Sequence, residues 1–322
     1  MLFRSFDFTL FKGRLDGSIE YFSRKTTDLL YFKPVSASLG YSSFPMNVGS
    51  MFNRGLELGL NGIAVQTNDV DLSFNFNMTY FKNKINKLEK SLNGELIDGT
   101  RIYREGESLY QLYLHKYAGV DHETGVALYY QDVEDESGNI VRETTSNWSN
   151  ATKYATGDIL PKVYGGFGTS LAVYDFDLSV SFAYQLGGKI YDSTYQSLMH
   201  NGRASSIGQN WHKDIRNAWT PENSNSNIPR LHTTDRFANS MSDRFLVKSD
   251  YLSVQNISLG YTVPQSLLRK IDLGSLRFYL VVDNVALLTK RKGLDPRQSY
   301  TSSANSNYSP IRTISGGLTL TF

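Results

Sequence analysis

Apolar and polar residues alternate along much of this chain with a period of two. The clearest run sets Leu72, Phe74, Phe76, Met78 and Tyr80 against Asp71, Ser73, Asn75, Asn77 and Thr79. Successive strand side chains point to opposite faces, so such alternation predicts a β-strand with one apolar and one polar face. The same pattern places Phe6, Phe8 and Leu10 on one strand and Leu15, Ile19 and Tyr21 on the next. It places Leu56, Leu58 and Leu60 on a third. Further strands are predicted over Val163 to Val173, Phe176 to Leu186, Tyr251 to Val263 and Ser275 to Leu287. The final run, from Arg312 to Phe322, puts Ile314, Gly316, Leu318, Leu320 and Phe322 opposite small polar residues. About nine strands result from this count.

The links between these strands differ in length. Lys12-Gly13-Arg14, Gln66 to Asp69 and Tyr174-Asp175 read as tight turns, with Gly13 supplying an unusual dihedral. A moderate link from Pro264 to Gly274 contains Leu267-Leu268-Arg269-Lys270, suited to one helical turn. The links after Lys25, Lys84, Asp192 and Thr289 are long and rich in Gly, Pro, Asn and Ser. Tyr110 to Tyr117 and Val126 to Tyr130 have the makings of a small hairpin inside one of them. Every second link of an up-and-down antiparallel sheet lies at the same end, so short and long links sort to opposite ends. Outer-membrane barrels have this asymmetry, with short periplasmic turns and long extracellular loops. The expectation is therefore an all-β, antiparallel, up-and-down transmembrane β-barrel portion. The alternative is a surface β-protein, an adhesin or carbohydrate-binding sandwich that does not transport.

Composition narrows the functional classes. The chain has no cysteine, which excludes disulfides, cysteine-ligated metal and a thiol nucleophile. A formal net charge of +2 gives no electrostatic footprint for nucleic acid. Aromatic residues reach 13%, with 21 Tyr and 18 Phe, as strand surfaces and aromatic girdles require. No apolar run approaches the ~18 residues of a membrane helix. The amino-terminal residues enter the alternation directly and lack the basic and apolar regions of a signal peptide.

No catalytic constellation stands out, so the chain is read as a non-enzyme without a cofactor. The histidines at 115, 122, 200, 212 and 232 lack the spacing of a zinc motif and read as loop residues. The acidic run Asp132 to Glu136 lacks the glycine punctuation of a calcium loop and reads as a solvated turn. Gly165-Gly166-Phe167-Gly168 lies within a strand, not between strand and helix, and is no phosphate loop. Trp148, Trp211 and Trp219 fall in the long links. Their amphipathic rings suit either ligand and partner contacts or the packing of the loops themselves.

Four blocks resemble the carboxy-terminal part of the SusC/RagA-like TonB-linked outer-membrane transporters. The first joins Arg24 to Leu30 with Asn47-Val48-Gly49 and Asn53 to Leu58. The second is Leu160 to Phe167, continuing through Phe176-Asp177-Leu178 to Gln185-Leu186-Gly187-Gly188-Lys189-Ile190-Tyr191. Trp219-Thr220-Pro221-Glu222-Asn223 and Ile257 to Tyr261 form the third. Asn284, Leu288 to Lys290, Gly293 to Pro296 and Gly317 to Phe322 form the fourth.

The resemblance implies a location in the bacterial outer membrane and a barrel of about 22 strands, of which residues 1–322 supply the last portion. It implies that the plug domain and signal peptide are absent from the chain. The implied function is barrel wall and surface loops of an active transporter importing glycan oligomers or peptides. The implied partners are a SusD-like surface lipoprotein, the TonB complex through the missing amino-terminal part, the assembly machinery and membrane lipid. Ile314, Leu318, Leu320 and Phe322 resemble the family's carboxy-terminal assembly signal.

Overall fold

The computed structural model describes residues 1–47, 49–269, 273–298, 303–304 and 309–322. Val48 of the first family-like block and Lys270 of the expected helical turn lie outside the described residues. The main strands are β1 (Leu2–Leu10), β2 (Leu15–Thr26), β3 (Gly49–Gln66), β4 (Val70–Leu88) and β5 (Val163–Val173). They continue as β6 (Phe176–Leu186), β7 (Tyr251–Thr262), β8 (Ser275–Thr289) and β9 (Thr313–Thr321). Among the described residues these nine form one antiparallel sheet whose spatial order is the chain order.

Register follows from the alternation, because a slip by one residue would exchange the two faces of a strand. One row of paired residues crosses the whole sheet as Leu10, Leu15, Gly62, Phe74, Thr169, Val180, Ile257, Val282 and Ile314. The neighbouring row on the other face reads Thr9, Asp16, Asn61, Asn75, Gly168, Ser181, Asn256, Asp283 and Thr313. One face is thus mainly apolar and the other mainly polar from edge to edge. At Gly62 the ring of Phe74 fills the space a side chain would take, since a Cβ there would lie 2.2 Å from Cζ. Glycine lets the aromatic ring lie flat across its neighbour strand.

The turns show where sequence signals were partial. In the turn after β1, Phe11 and Lys12 adopt positive φ values of 53° and 58° beside Gly13 at 86°. The left-handed conformation is therefore shared by three residues. Tyr174 takes φ of 51° in the two-residue turn between β5 and β6. Asn284, also at 51°, sits where the β7–β8 register shifts, and its side chain donates to the Ile311 carbonyl at 3.1 Å. A helical turn forms over Gln265–Leu268, two residues earlier than the Leu267 to Lys270 expected.

The expected transmembrane barrel portion is not what this chain builds. Its sheet is open: β1 and β9 are the two ends of the strand order and do not pair with each other. The exposed surface is 19567 Å². A compact monomer of this mass would expose about 13,000 Å². The excess comes from a sheet whose two faces are both uncovered. Phe6, Phe176, Leu259, Phe278 and Ile314 are among its exposed apolar residues. Alternation specifies the faces and the neighbour pairing of strands, but not closure of the sheet, which needs a match between its two edges.

The long links are themselves folded. Leu30–Pro34 pairs with Ser43–Asn47. The link between β4 and β5 holds a four-stranded sheet ordered Lys153–Asp158, Gln111–His115, Arg101–Arg104, Glu95–Asp98. A three-stranded sheet is built from Tyr117–Val120, Ala127–Glu134 and Ile140–Thr145. The hairpin expected between Tyr110 to Tyr117 and Val126 to Tyr130 is displaced. Gln111–His115 joins Lys153–Asp158, and Ala127–Glu134 pairs with Tyr117–Val120 and Ile140–Thr145.

Candidate ligand-binding cleft

The buried core lies in the folded links and at the strand ends that enter them. Ile85, Leu88, Leu92 and Tyr103 form one cluster, joined by Leu29, Tyr31 and Met46. Leu114, Tyr191, Met199 and Phe245 form a second, and Ile190, Val247 and Leu294 a third. Polar contacts fix individual segments and join some of them to others. Arg230 grips Asp235 through two nitrogens at 2.8 and 3.0 Å. Arg297 grips Asp295 at 2.7 and 2.9 Å and donates to the Ser253 hydroxyl on β7 at 2.9 Å. Such forked, charge-assisted pairs fix geometry as well as adding energy. Asp243 accepts the Tyr117 N–H at 2.8 Å, and burial pushes its carboxyl above the usual range. The Tyr117 phenol is pushed up to about 12 by burial.

A large cleft lies where this folded layer meets the sheet. Strand β4 pairs with β5 only from Val70 to Tyr80, yet it runs beside β3 as far as Leu88. Above Tyr80 a gap therefore opens on the β5 side of β4. Segments from two links, β4–β5 and β6–β7, line it. The Ile85 N–H donates to the Glu107 carbonyl at 2.8 Å, and the Gly106 N–H donates to the Ile85 carbonyl at 2.9 Å. The Phe81 N–H donates to the Lys162 carbonyl at 3.0 Å. Asn83, buried, accepts the Leu109 N–H at 2.8 Å and donates to Asn53 at 2.7 Å. The cavity that remains measures about 750 Å³. That is the size range of pockets for small-molecule ligands.

Its charge is uneven. Lys82, Lys84, Lys162, Lys189 and Lys248 line the cleft, with Glu107, Asp158 and Asp250 as the carboxylates. Two of these carboxylates serve the backbone. Asp250 accepts the Gly187 N–H at 2.6 Å and Asp158 accepts the Leu160 N–H at 3.0 Å. Lys189 donates to the Thr156 carbonyl. Gly188 has φ of +80°, and a Cβ there would meet the Ile159 carbonyl oxygen at 2.6 Å. The Gln185-Leu186-Gly187-Gly188-Lys189 run thus needs glycine to turn β6 into the cleft wall.

None of the three tryptophans lines this cleft, and the structure does not bring them together. Trp148 donates to the Met241 carbonyl at 2.7 Å and lies 4.3 Å from the His115 ring. Trp211, half exposed, donates to the His200 carbonyl at 2.8 Å and stacks on His200 at 5.0 Å. Trp219 donates to the His122 carbonyl at 3.1 Å, with its ring over Gly125. Ile314, Leu318 and Leu320 sit on the apolar face of edge strand β9, opposite Val282, Phe278 and Leu276. Phe322 follows that strand and is fully exposed. The lysines were missed because they are scattered in sequence. Only Lys82 and Lys84, two apart at the end of an apolar run, gave a local signal.

The acidic run also has its place. Asp132 accepts from Arg142 at 3.0 Å and from the Tyr154 hydroxyl at 2.6 Å, and these bonds hold its carboxyl below the usual range. Asp135 accepts the Ser137 and Asn139 N–H groups, both at 2.8 Å, within the following turn. Among the described residues no three His, Cys, Asp or Glu converge as a metal site, and no helix is long and apolar enough to cross a membrane.

No family model matches the chain. It is 30% identical over 341 aligned positions to TonB-dependent receptor P3 of Formosa agariphila, covering 98% of this chain and 33% of that protein. It is 27% identical over 327 positions to TonB-dependent receptor SusC of Bacteroides thetaiotaomicron, covering 98% and 31%. A solved structure of the RagAB peptide transporter superposes with a TM-score of 0.82 at 29% identity, covering 99% of this chain and 34% of that one. The chain is related to the SusC/RagA TonB-dependent receptors. It spans about a third of the length of the curated relatives it matches. The relation places it in the bacterial outer membrane and makes it non-catalytic. The expected role as barrel wall of an active transporter is corrected by the fold. Among the described residues the sheet is open and encloses no lumen.

Proposed function

We propose that the chain is a surface β-protein of the outer membrane that binds ligand without transporting it. The observation that carries this reading is the contrast between an open sheet and a folded link layer enclosing a cleft of about 750 Å³. An open sheet offers no enclosed path, whereas the cleft offers a concave site with converging polar groups. Oligosaccharides and peptides are the ligand classes. The family resemblance suggests both, and the similar RagAB is named for peptide transport.

The apolar sheet face meets membrane lipid in this reading, since so large an apolar surface needs a non-aqueous neighbour. A SusD-like surface lipoprotein is the partner suited to the link layer. For the protein that carries the chain, the family relation adds the TonB complex and the outer-membrane assembly machinery. Ile314, Leu318, Leu320 and Phe322 are the candidate assembly segment. Trp148, Trp211 and Trp219 are candidate contacts at the outer surface of the link layer.

Equilibrium titration of the chain in detergent micelles against a panel of oligosaccharides and peptides tests the reading. Saturable binding with one site per chain is the expected result. Absence of binding across both classes would remove it.

A further inference from the structure

We infer that the lysine-lined cleft takes an acidic oligosaccharide, a sugar chain bearing sulfate, phosphate or carboxylate groups. This deepens the proposed function and rests on the reading of the chain as a binding protein. Four observations lead to it.

The first is uncompensated charge. Lys82, Lys84, Lys162 and Lys248 face the cleft, and among the described residues none of them makes an ion pair. Five lysines line the cleft against three carboxylates, Glu107, Asp158 and Asp250, which leaves an excess of positive charge. Like charges gathered on one concave wall repel each other, and an anionic ligand relieves that repulsion.

Spacing is the second. The four ammonium groups come from β4, from the residue before β5 and from the residue following Leu246-Val247. They come from three separate segments that border a cavity of about 750 Å³. A ligand with repeated charges can engage several of them, and a single small anion cannot.

Third, an aromatic ring stands among the lysines. Tyr80 is 40% exposed, lines the cleft, and lies two and four positions before Lys82 and Lys84 on the same face of β4. Aromatic faces stack on the apolar faces of sugar rings while neighbouring donors address the substituents. Ser108 and Gln111 add neutral polar groups to the lining.

The fourth is the state of the backbone. An extended peptide would bind such a gap by adding a strand to the free side of β4. That side is occupied: the Ile85 N–H and carbonyl and the Phe81 N–H already have partners in the links. Recognition therefore falls to side chains, which favours a substituted sugar chain over a peptide.

The test uses the full chain in neutral detergent, titrated calorimetrically with dextran sulfate oligomers, unsubstituted dextran oligomers and oligoglutamate. Dextran sulfate is expected to bind, and to bind more weakly as salt is raised. Lys82 and Lys248 are exposed, so the double variant Lys82→Gln/Lys248→Gln should keep the fold and weaken binding at least about tenfold, as loss of charged hydrogen bonds does. Lys213→Gln, outside the cleft, should leave the affinity unchanged. Equal affinity in the double variant and the parent would place the ligand elsewhere and overturn the inference. Preference for oligoglutamate over dextran sulfate would overturn it in favour of a peptide. Binding of neutral sugars or peptides with none of dextran sulfate would overturn it while leaving the proposed function standing. Binding of no ligand at all would remove both.

Discussion

The sheet and the link layer use the same residue types to opposite ends. In the sheet, Phe6, Phe176, Phe278 and Ile314 stand exposed on one face of nine strands. In the link layer, Phe245 and Ile102 are fully buried, and Tyr129 is nearly so. The sheet is held by long ladders: β3 and β4 run 18 and 19 residues. At about 3.4 Å per residue they reach roughly 60 Å, so their upper ends pass beyond the apolar band and enter the link layer. The link layer is held by small cores, by forked ion pairs within single segments, and by hydrogen bonds such as Arg297 to Ser253 and Tyr117 to Asp243 that join segments far apart in sequence. One region is therefore stabilised by backbone pairing and its surroundings, the other by its own packing. The cleft forms at their seam because β5 stops where β4 continues.

The largest effect should come from the link layer's own core. Phe245→Ala removes a fully buried ring that meets Tyr191 and Tyr195 edge-on at 6.2 and 6.1 Å. It should cost about 3–5 kcal/mol. Phe6→Ala, at a 65% exposed ring on the edge strand, should cost no more than about 0.5 kcal/mol in detergent. Denaturant titration followed by near-ultraviolet circular dichroism checks both. Equal losses would mean that the two regions unfold as one body and would break the comparison.

A smaller effect should follow pH. Burial, and then the charge of nearby Lys153, lowers the His115 pKa below its usual 6.5. The unfolded chain then binds the proton more readily than the folded one, so His115 favours folding fully above pH 6.5. That contribution fades as pH falls through and below that value. The link layer should soften in mildly acidic buffer, and His115→Gln should flatten the dependence. Fluorescence of Trp148, whose ring lies 4.3 Å from His115, reports the change locally. A profile unchanged by His115→Gln would assign the softening to other groups.

How much could be read from sequence differs between the two regions for the same reason. Strands β4, β5 and β6 were legible because each carries unbroken alternation and pairs with the next long strand in chain order, however long the link between them. Gln111–His115 was not, because its partner Lys153–Asp158 is not the strand that follows it in the chain. It is also short, and Leu112, Leu114 and His115 are all buried, which spoils a period of two. The displaced hairpin has this origin: Tyr110 to Tyr117 and Val126 to Tyr130 are both aromatic-rich and close in sequence, but each found a different partner. Closure failed on other grounds. The alternation of Ile314 to Phe322 names the face of β9, and nothing in it names a neighbour for its outer edge. The cleft was invisible because its lysines at 82, 84, 162, 189 and 248 meet only through the early end of β5.

Hydrogen exchange on the full chain, with and without a saturating dextran sulfate oligomer, tests the central claim most directly. Ligand should slow exchange in 80–84, 107–111, 157–162, 186–189 and 248–250, the segments that line the cleft. Amides in the lower halves of β3 to β8 should be unaffected. Protection spread through the lower sheet, or absent from those five segments while ligand binds, would contradict a binding site at the seam.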